Sequence, residues 1–162
     1  RIDIPFLNFS NILELALPRL ETLSDFFPLS GHLFEESPEY QTEDLIGKSE
    51  AAEVSRLLKI AEWELEKIKH WDREQLAALF QNMAKIEEMK LKDLLRPFFF
   101  AISGSAVSLP LFDGMALLGP DLSRVRLRIA LNKLSETGSG LNKKGLKSLE
   151  KEYRSAYGKR ID

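Results

Sequence analysis

FFFAISGSAVSLPLFDGMALLG, Phe98 to Gly119, contains an apolar arm, a small-residue break and a short helix. The break falls at Ser103-Gly104-Ser105, where the apolar run stops. Ser108 is placed to cap the next helix, because its hydroxyl oxygen can accept an orphan N–H of the first turn. Pro110 suits that first turn, where its missing N–H costs no bond and its φ is already helical. Gly119 suits the C′ position, which demands a left-handed backbone, and Pro120 prevents continuation.

The helical pattern extends both ways from this stretch. Downstream, Asp121 is a cap candidate for a helix over Leu122 to Leu134, and Thr137 to Gly140 reads as a flexible break before a basic helix. Upstream, a Lys-rich turn from Met89 to Leu95 leads into the apolar arm. Asp72 and Gln75 have capping-box spacing for a helix burying Leu76, Leu79, Phe80 and Met83. Residues 41–70 give the clearest helix: Val54, Leu57, Leu58, Ala61, Leu65 and Ile68 share one face, and Gly47 marks a break near its start. Asp25 to Tyr40, punctuated by Phe, Pro and Gly, reads as a connection between two lobes. Asn11 to Leu23 reads as a helix that Pro18 kinks or interrupts. No strand alternation and no repeat competes, so the expected fold is all-α, a helical bundle.

Composition narrows the chemistry. At 162 residues, 44% hydrophobic and 30% charged, the chain has material for a core and a polar surface. It has no Cys, so no disulfide or thiolate metal site holds it, which fits a reducing compartment. No 18-residue uncharged apolar run and no signal-peptide pattern occurs, and the first residue is Arg, which reads as a piece cut from a longer chain. Net charge is −2, but Lys143 to Asp162 carries seven basic against three acidic residues on an otherwise acidic body. Such a tail either meets phosphate or is a solvated helix face. His32 and His70 share no ligand spacing with another residue, and there is no Gly-rich phosphate loop. The acidic residues from Glu35 to Glu53 lack the order of a calcium loop, and Ser103 has no neighbouring base. Neither catalytic nor metal-ligating residues are expected.

In one ordered set, Pro97, Ala101, Ile102, Ser103, Gly104, Ser108, Leu111, Phe112, Asp113, Leu117, Leu118 and Gly119 resemble the C-terminal anticodon-binding domain of bacterial glutamyl-tRNA synthetases, a class I family. LPRLETLSDFF (Leu17 to Phe27), LFEESPEY (Leu33 to Tyr40), Trp71-Asp72, LKDLLRP (Leu91 to Pro97) and RVRLRIAL (Arg124 to Leu131) are similar to its other segments, so the resemblance covers roughly residues 12–134. It implies a helical cage of the anticodon-binding type: the end of a first lobe over residues 1–35, a second lobe over 36–135 and, outside the resemblance, a basic tail helix over 136–162. It also implies that the chain holds the anticodon loop of glutamate tRNA, as part of a monomeric, cytoplasmic enzyme. That parent attaches glutamate using ATP and Mg, while this piece has no cofactor. The family's two adenylate signatures are absent here, so the piece should be inactive alone.

Residue by residue, the resemblance places Arg19 at the third anticodon base, where a planar guanidinium can bond a base edge bidentately. Alternatively, Arg19 pairs with Glu21, Asp25 or another carboxylate. Ser108 and Leu111 fall at positions that touch the first two bases, by a hydroxyl and an apolar face. The family's Arg two residues after proline is Phe99 here, so either Phe99 stacks on the first base or Arg96 substitutes for the missing cation. Lys143, Lys144, Lys147, Lys151 and Arg154 are candidates for the tRNA backbone. Two other functions remain open: the anticodon domain of a class I lysyl-tRNA synthetase, and a helical protein-interaction module anchored by Phe98-Phe99-Phe100. Exposure of that triplet would favour the module, and burial the cage.

Overall fold

The computed structural model describes residues 6–138 and 140–158, with side chains from residue 9 onward. Among the described residues the chain is all-α. Helix α1, Phe6–Ala16, ends where Pro18 approaches, and a 3-10 turn, Leu17–Arg19, follows. The helix expected over Asn11 to Leu23 therefore stops early. The expected connection after it is largely helical, with a 3-10 turn Leu23–Asp25, a five-residue helix α2 (Phe26–Ser30) and a 3-10 turn Gly31–Phe34.

Residues 41–70 divide at Gly47, as their sequence suggests. Helix α3, Thr42–Ile46, closes on Gly47 at φ 57°, and α4, Ala51–Leu65, carries the apolar stripe. Ile68 falls beyond the end of α4. Helix α5, Arg73–Ile86, starts at Asp72, whose carboxylate accepts the Gln75 backbone N–H at 2.8 Å. Glu88 then adopts φ 53° and Met89 N–H bonds back to the Ala84 carbonyl, closing α5 in the manner of a Schellman cap. The Lys-rich turn expected up to Leu95 is shorter than that. Helix α6, Leu91–Ser103, begins within it, because the Asp93 and Leu94 N–H groups both reach the Lys90 carbonyl. Gly104, at φ 75°, ends α6 against Pro38 and Glu39, where a Cβ would lie 2.9 Å from the Pro38 side chain.

Helix α7, Leu111–Glu136, is two helices in series. Gly119 breaks it at φ 82° and ψ 171°, and Pro120 opens the second half. Asp121 does not cap that half; it lies inside its first turn and pairs with Arg124 at 3.1 Å. Helix α8, Lys143–Tyr157, is capped by Asn142, which accepts the Gly145 N–H at 2.8 Å. Of the expected flexible break before it, Thr137 and Gly138 form a turn at the end of α7, and Ser139 lies outside the described residues.

Two apolar cores result. The larger joins α3 to α8 around Leu58, Phe80, Met83, Phe98, Met115 and Leu127. The Phe80 ring meets Phe98 edge-on at 4.9 Å and stacks with Phe112 at 5.6 Å. Phe98 is fully buried, and Phe99 and Phe100 pack half-buried against the same core, so the aromatic triplet is not an exposed anchor. The smaller core joins Ile12, Ala16 and Leu33 to Leu109, with Leu117 and Leu118 of α7 packed against it. It therefore joins the N-terminal segment to residues about 75 to 100 positions later.

Arg126 connects these cores. Its side chain is 0% exposed and donates to the carbonyls of Ile102, His32 and Glu35, the His32 bond being 2.7 Å long. Burial depresses its pKa to about 10, against the pull of Glu35 and Tyr40, and the guanidinium stays charged. An Arg126→Leu variant leaves three inward-facing carbonyls without a donor and should lose about 3 kcal/mol or more in urea unfolding. A loss within about 0.5 kcal/mol, ordinary for a surface site, would remove Arg126 from this role.

His32, 8% exposed, is held below its ordinary range at about 4 by burial first and then by the Arg126 charge, with a Leu29 backbone bond opposing. The native chain thus keeps His32 neutral while the unfolded chain protonates it. Its contribution to stability is complete above pH 6.5 and declines as pH falls toward 4. The His32→Gln variant is expected to flatten the fall of the urea midpoint between pH 6.5 and 5, and an unchanged slope would contradict a buried neutral imidazole.

Candidate nucleic-acid interface

Arg19 ends the 3-10 turn after α1 and stands in solvent, its guanidinium resting on the Leu15 carbonyl at 3.1 Å. Among the described residues neither Glu21, Asp25 nor another carboxylate forms an ion pair with it. Asp25 is occupied instead. Its carboxylate accepts the Thr22 N–H at 2.7 Å, the Thr22 hydroxyl at 3.2 Å and the Glu21 N–H at 3.1 Å. The Thr22 backbone bond chiefly holds the Asp25 pKa below its ordinary value. Together, Thr22 and Asp25 lock the backbone immediately after Arg19. Leu17, Leu23 and Phe27, at 54%, 87% and 71% exposure, surround Arg19 in sequence with uncovered apolar side chains. Sequence reasoning missed this feature. Periodicity hid it: Leu23 and Phe27 lie seven and eleven residues after Ala16, on the Ile12–Ala16 face of an unbroken helix, and the signal available was Pro18, which ends that helix before them.

The loop from Gly104 to Pro110 carries Ser108. It is tied at one end by the Ser103 hydroxyl, which donates to the Phe99 carbonyl at 2.6 Å and the Ser105 carbonyl at 3.0 Å. At the other end Leu109, 1% exposed, plugs into the small core beside Ile12 and Ala16. The same cluster thus anchors Ser108 and the helix whose end bears Arg19. Ser108 is not the helix cap: Pro110 occupies that position, and the Ser108 hydroxyl lies 3.0 Å from the Leu109 carbonyl. Leu109 is the reason, since burying it leaves Ser108 two residues before the cap position. Val107 beside it is 72% exposed.

Leu111 opens α7 but is 4% exposed, so its side chain belongs to the core and only its backbone faces the helix entrance. That entrance is fixed by Trp71, whose indole donates to the Met115 carbonyl at 2.8 Å, and by the Arg73–Asp113 pair at 3.3 Å.

Phe99 and Arg96 are drawn elsewhere. Phe99 packs half-buried on the large core. Arg96 donates to the Asp44 carbonyl at 2.9 Å, closing the C-terminal end of α3, and lies 5.2 Å from the Phe100 ring. A Cβ on Gly47 would fall 2.1 Å from that guanidinium. Arg96→Ala should cost about 1 kcal/mol of stability in urea. Its effect on RNA affinity should be small, and a tenfold loss of affinity at unchanged stability would return Arg96 to the interface.

The cleft beside Ser103, about 440 Å³ and lined by Phe27, His32, Glu35, Pro38 and Glu39, presents carboxylates and is unsuited to phosphate. The five cations of the tail, Lys143, Lys144, Lys147, Lys151 and Arg154, are all exposed on α8, far along the chain from Arg19 and Ser108. The tail's last two cations, Lys159 and Arg160, lie outside the described residues. No described helix is long and apolar enough to cross a membrane.

A family described as an anticodon binding domain matches residues 4–131. The chain is 37% identical over 146 residues to a glutamate–tRNA ligase of Pseudoalteromonas translucida, covering 90% of this chain and 28% of that protein. It is 40% identical over 147 residues to a glutamate–tRNA ligase of Saccharophagus degradans, with 90% and 28% covered. A glutamate–tRNA ligase of Cellvibrio japonicus is 39% identical over 148 residues, with 88% and 29% covered. The chain thus spans little more than a quarter of the length of these curated relatives.

Proposed function

This chain belongs to the anticodon-binding domain family, and we propose that it is the part of a bacterial glutamate–tRNA ligase that holds the anticodon loop of glutamate tRNA. The catalytic domain of the parent, with its ATP and Mg, attaches glutamate in the cytoplasm. This piece contributes selection of the tRNA and no chemical step, and it works within a monomer.

The observation that carries the reading is Arg19, an exposed guanidinium with no carboxylate partner among the described residues, set on a backbone locked by Thr22 and Asp25. A guanidinium offers a planar fork of donors. Against the third anticodon base it meets the acceptors of C, and the donor and acceptor pattern of U does not reproduce them. Leu23 and Phe27, both exposed, supply apolar faces for unstacked bases near Arg19. Ser108 supplies a hydroxyl, and the first turn of α7 supplies free N–H groups, for the edges of the first two bases. Leu111 positions that turn from within the core, on which Phe99 also packs, while Arg96 is spent on the end of α3. A class I lysyl-tRNA synthetase domain would favour a different third base, so one experiment separates the two.

Fluorescence anisotropy with a glutamate anticodon hairpin at low salt tests the assignment. The chain should bind a hairpin ending its anticodon in C about tenfold more tightly than one ending in U, a difference within the range of one bidentate base contact. Arg19→Ala should bind both alike. Equal affinity of the unaltered chain for the two hairpins would sink base reading by Arg19.

A further inference from the structure

Helix α8 lies beyond residue 131, where the family match ends, and its two faces differ sharply. One face docks on the bundle. Leu149 and Tyr157 are buried, and the Tyr153 ring packs 4.8 Å from Trp63. The Tyr153 and Tyr157 hydroxyls donate to Glu64 at 2.7 Å and Glu87 at 2.6 Å. Arg56 ties Glu152 down at 3.1 Å, and it also pairs with Glu53 and Glu87. The helix is therefore held rigidly, with one of its two carboxylates turned to the body of the protein.

The other face carries Lys143, Lys144, Lys147, Lys151 and Arg154, all exposed. Lys143, Lys147, Lys151 and Arg154 follow one another at helical steps of four, four and three residues, so they form a single stripe. Arg154 pairs with Glu150 at 2.7 Å, and none of the four lysines has an ion-pair partner among the described residues. Lys147, Lys151 and Arg154 border one shallow groove of about 220 Å³, together with Glu150, whose charge the Arg154 pair offsets. Successive cations stand about 6 Å apart along the axis, a step comparable with that between neighbouring phosphates of one strand. On a protein of net charge −2, the three lysines of this row, which have no ion-pair partner among the described residues, repel one another unless an anion faces them.

We propose that the Lys143–Arg154 face of α8 is a docking surface for the phosphate backbone of structured RNA, separate from the base-reading residues. It rests on the RNA-binding reading above but acts without regard to base identity. Ser108 and Leu111 lie at the N-terminal end of α7 and α8 follows its C-terminal end, so the two surfaces take different parts of one RNA. Because the stripe is built on a docked helix, its cations keep their spacing without RNA.

The test uses the full 162-residue chain and an unmodified glutamate tRNA transcript, with affinity measured across a salt series. A triple variant, Lys147→Gln, Lys151→Gln and Arg154→Gln, alters only exposed side chains, and its helical circular dichroism should match the unaltered chain. Each lost phosphate contact removes about 0.7–0.9 from the slope of log affinity against log salt, so the variant's slope should be shallower by about 2. Its preference for C over U at the third anticodon base should persist. An unchanged slope, or no binding of the transcript by the unaltered chain at low salt, overturns the proposal. A shallower slope in a chain that never distinguishes C from U supports the α8 surface and overturns only the base-reading assignment.

Discussion

One buried guanidinium governs how the two cores of this protein sit together. Arg126 is charged and without solvent contact, so it must spend its N–H groups on oxygen atoms of the chain. It takes the Ile102 carbonyl near the end of α6 and the His32 and Glu35 carbonyls of the segment between the cores. Those carbonyls are themselves short of donors, because helix and turn ends leave acceptors unpaired. The two terminal nitrogens of the guanidinium supply these bonds, while its Nε–H has no partner among the described residues. The bonds also fix the segment LFEESPEY, whose Leu33 enters the small core and whose Tyr40 enters the large one.

The interface inherits this rigidity. Gly104 can end α6 against Pro38 and Glu39 because that segment is held in place, and the loop that follows delivers Leu109 to the small core. Arg19 and Ser108, 89 residues apart in the chain, are thus presented on a shared apolar support. Their side chains remain free because the support takes its stability from Ile12, Ala16, Leu33 and Leu109 instead. Few of the charged residues near the large core have that freedom: Glu62, buried at 3% exposure, is claimed by Lys59 at 2.8 Å and Arg128 at 2.6 Å. Burial opposes the Glu62 charge, but those two cations win and hold its pKa below the ordinary value.

Much of the helical plan was legible because its signals are local. Asp72 capping α5, Gly47 dividing α3 from α4, and Gly119-Pro120 breaking α7 each depend on backbone preferences within a few residues. The apolar stripe of α4 was legible for the same reason. Ser108 misled because a good capping residue stood two positions before the helix, and the burial of Leu109 decided which residue became the cap. Arg96 looked like a free cation beside Pro97, yet its partner is the Asp44 carbonyl, 52 residues away.

The sequence by itself determined the helical class, the principal breaks and the membership suggested by an ordered set of short motifs. These are encoded by periodicity, by glycine and proline stereochemistry and by local side-chain bonds. Only the tertiary structure decided which polar groups are spent inside the protein and which are left for a partner. Arg126 and Arg124 are two residues apart and chemically alike, but one is sealed inside the protein by carbonyls 24, 91 and 94 residues away and the other meets Asp121 on the surface. Burial is a property of the whole packed chain, and desolvation makes a buried cation's bonds obligatory where an exposed cation's are optional. That difference separates the guanidinium that holds the fold from the one, Arg19, that stays available at its edge.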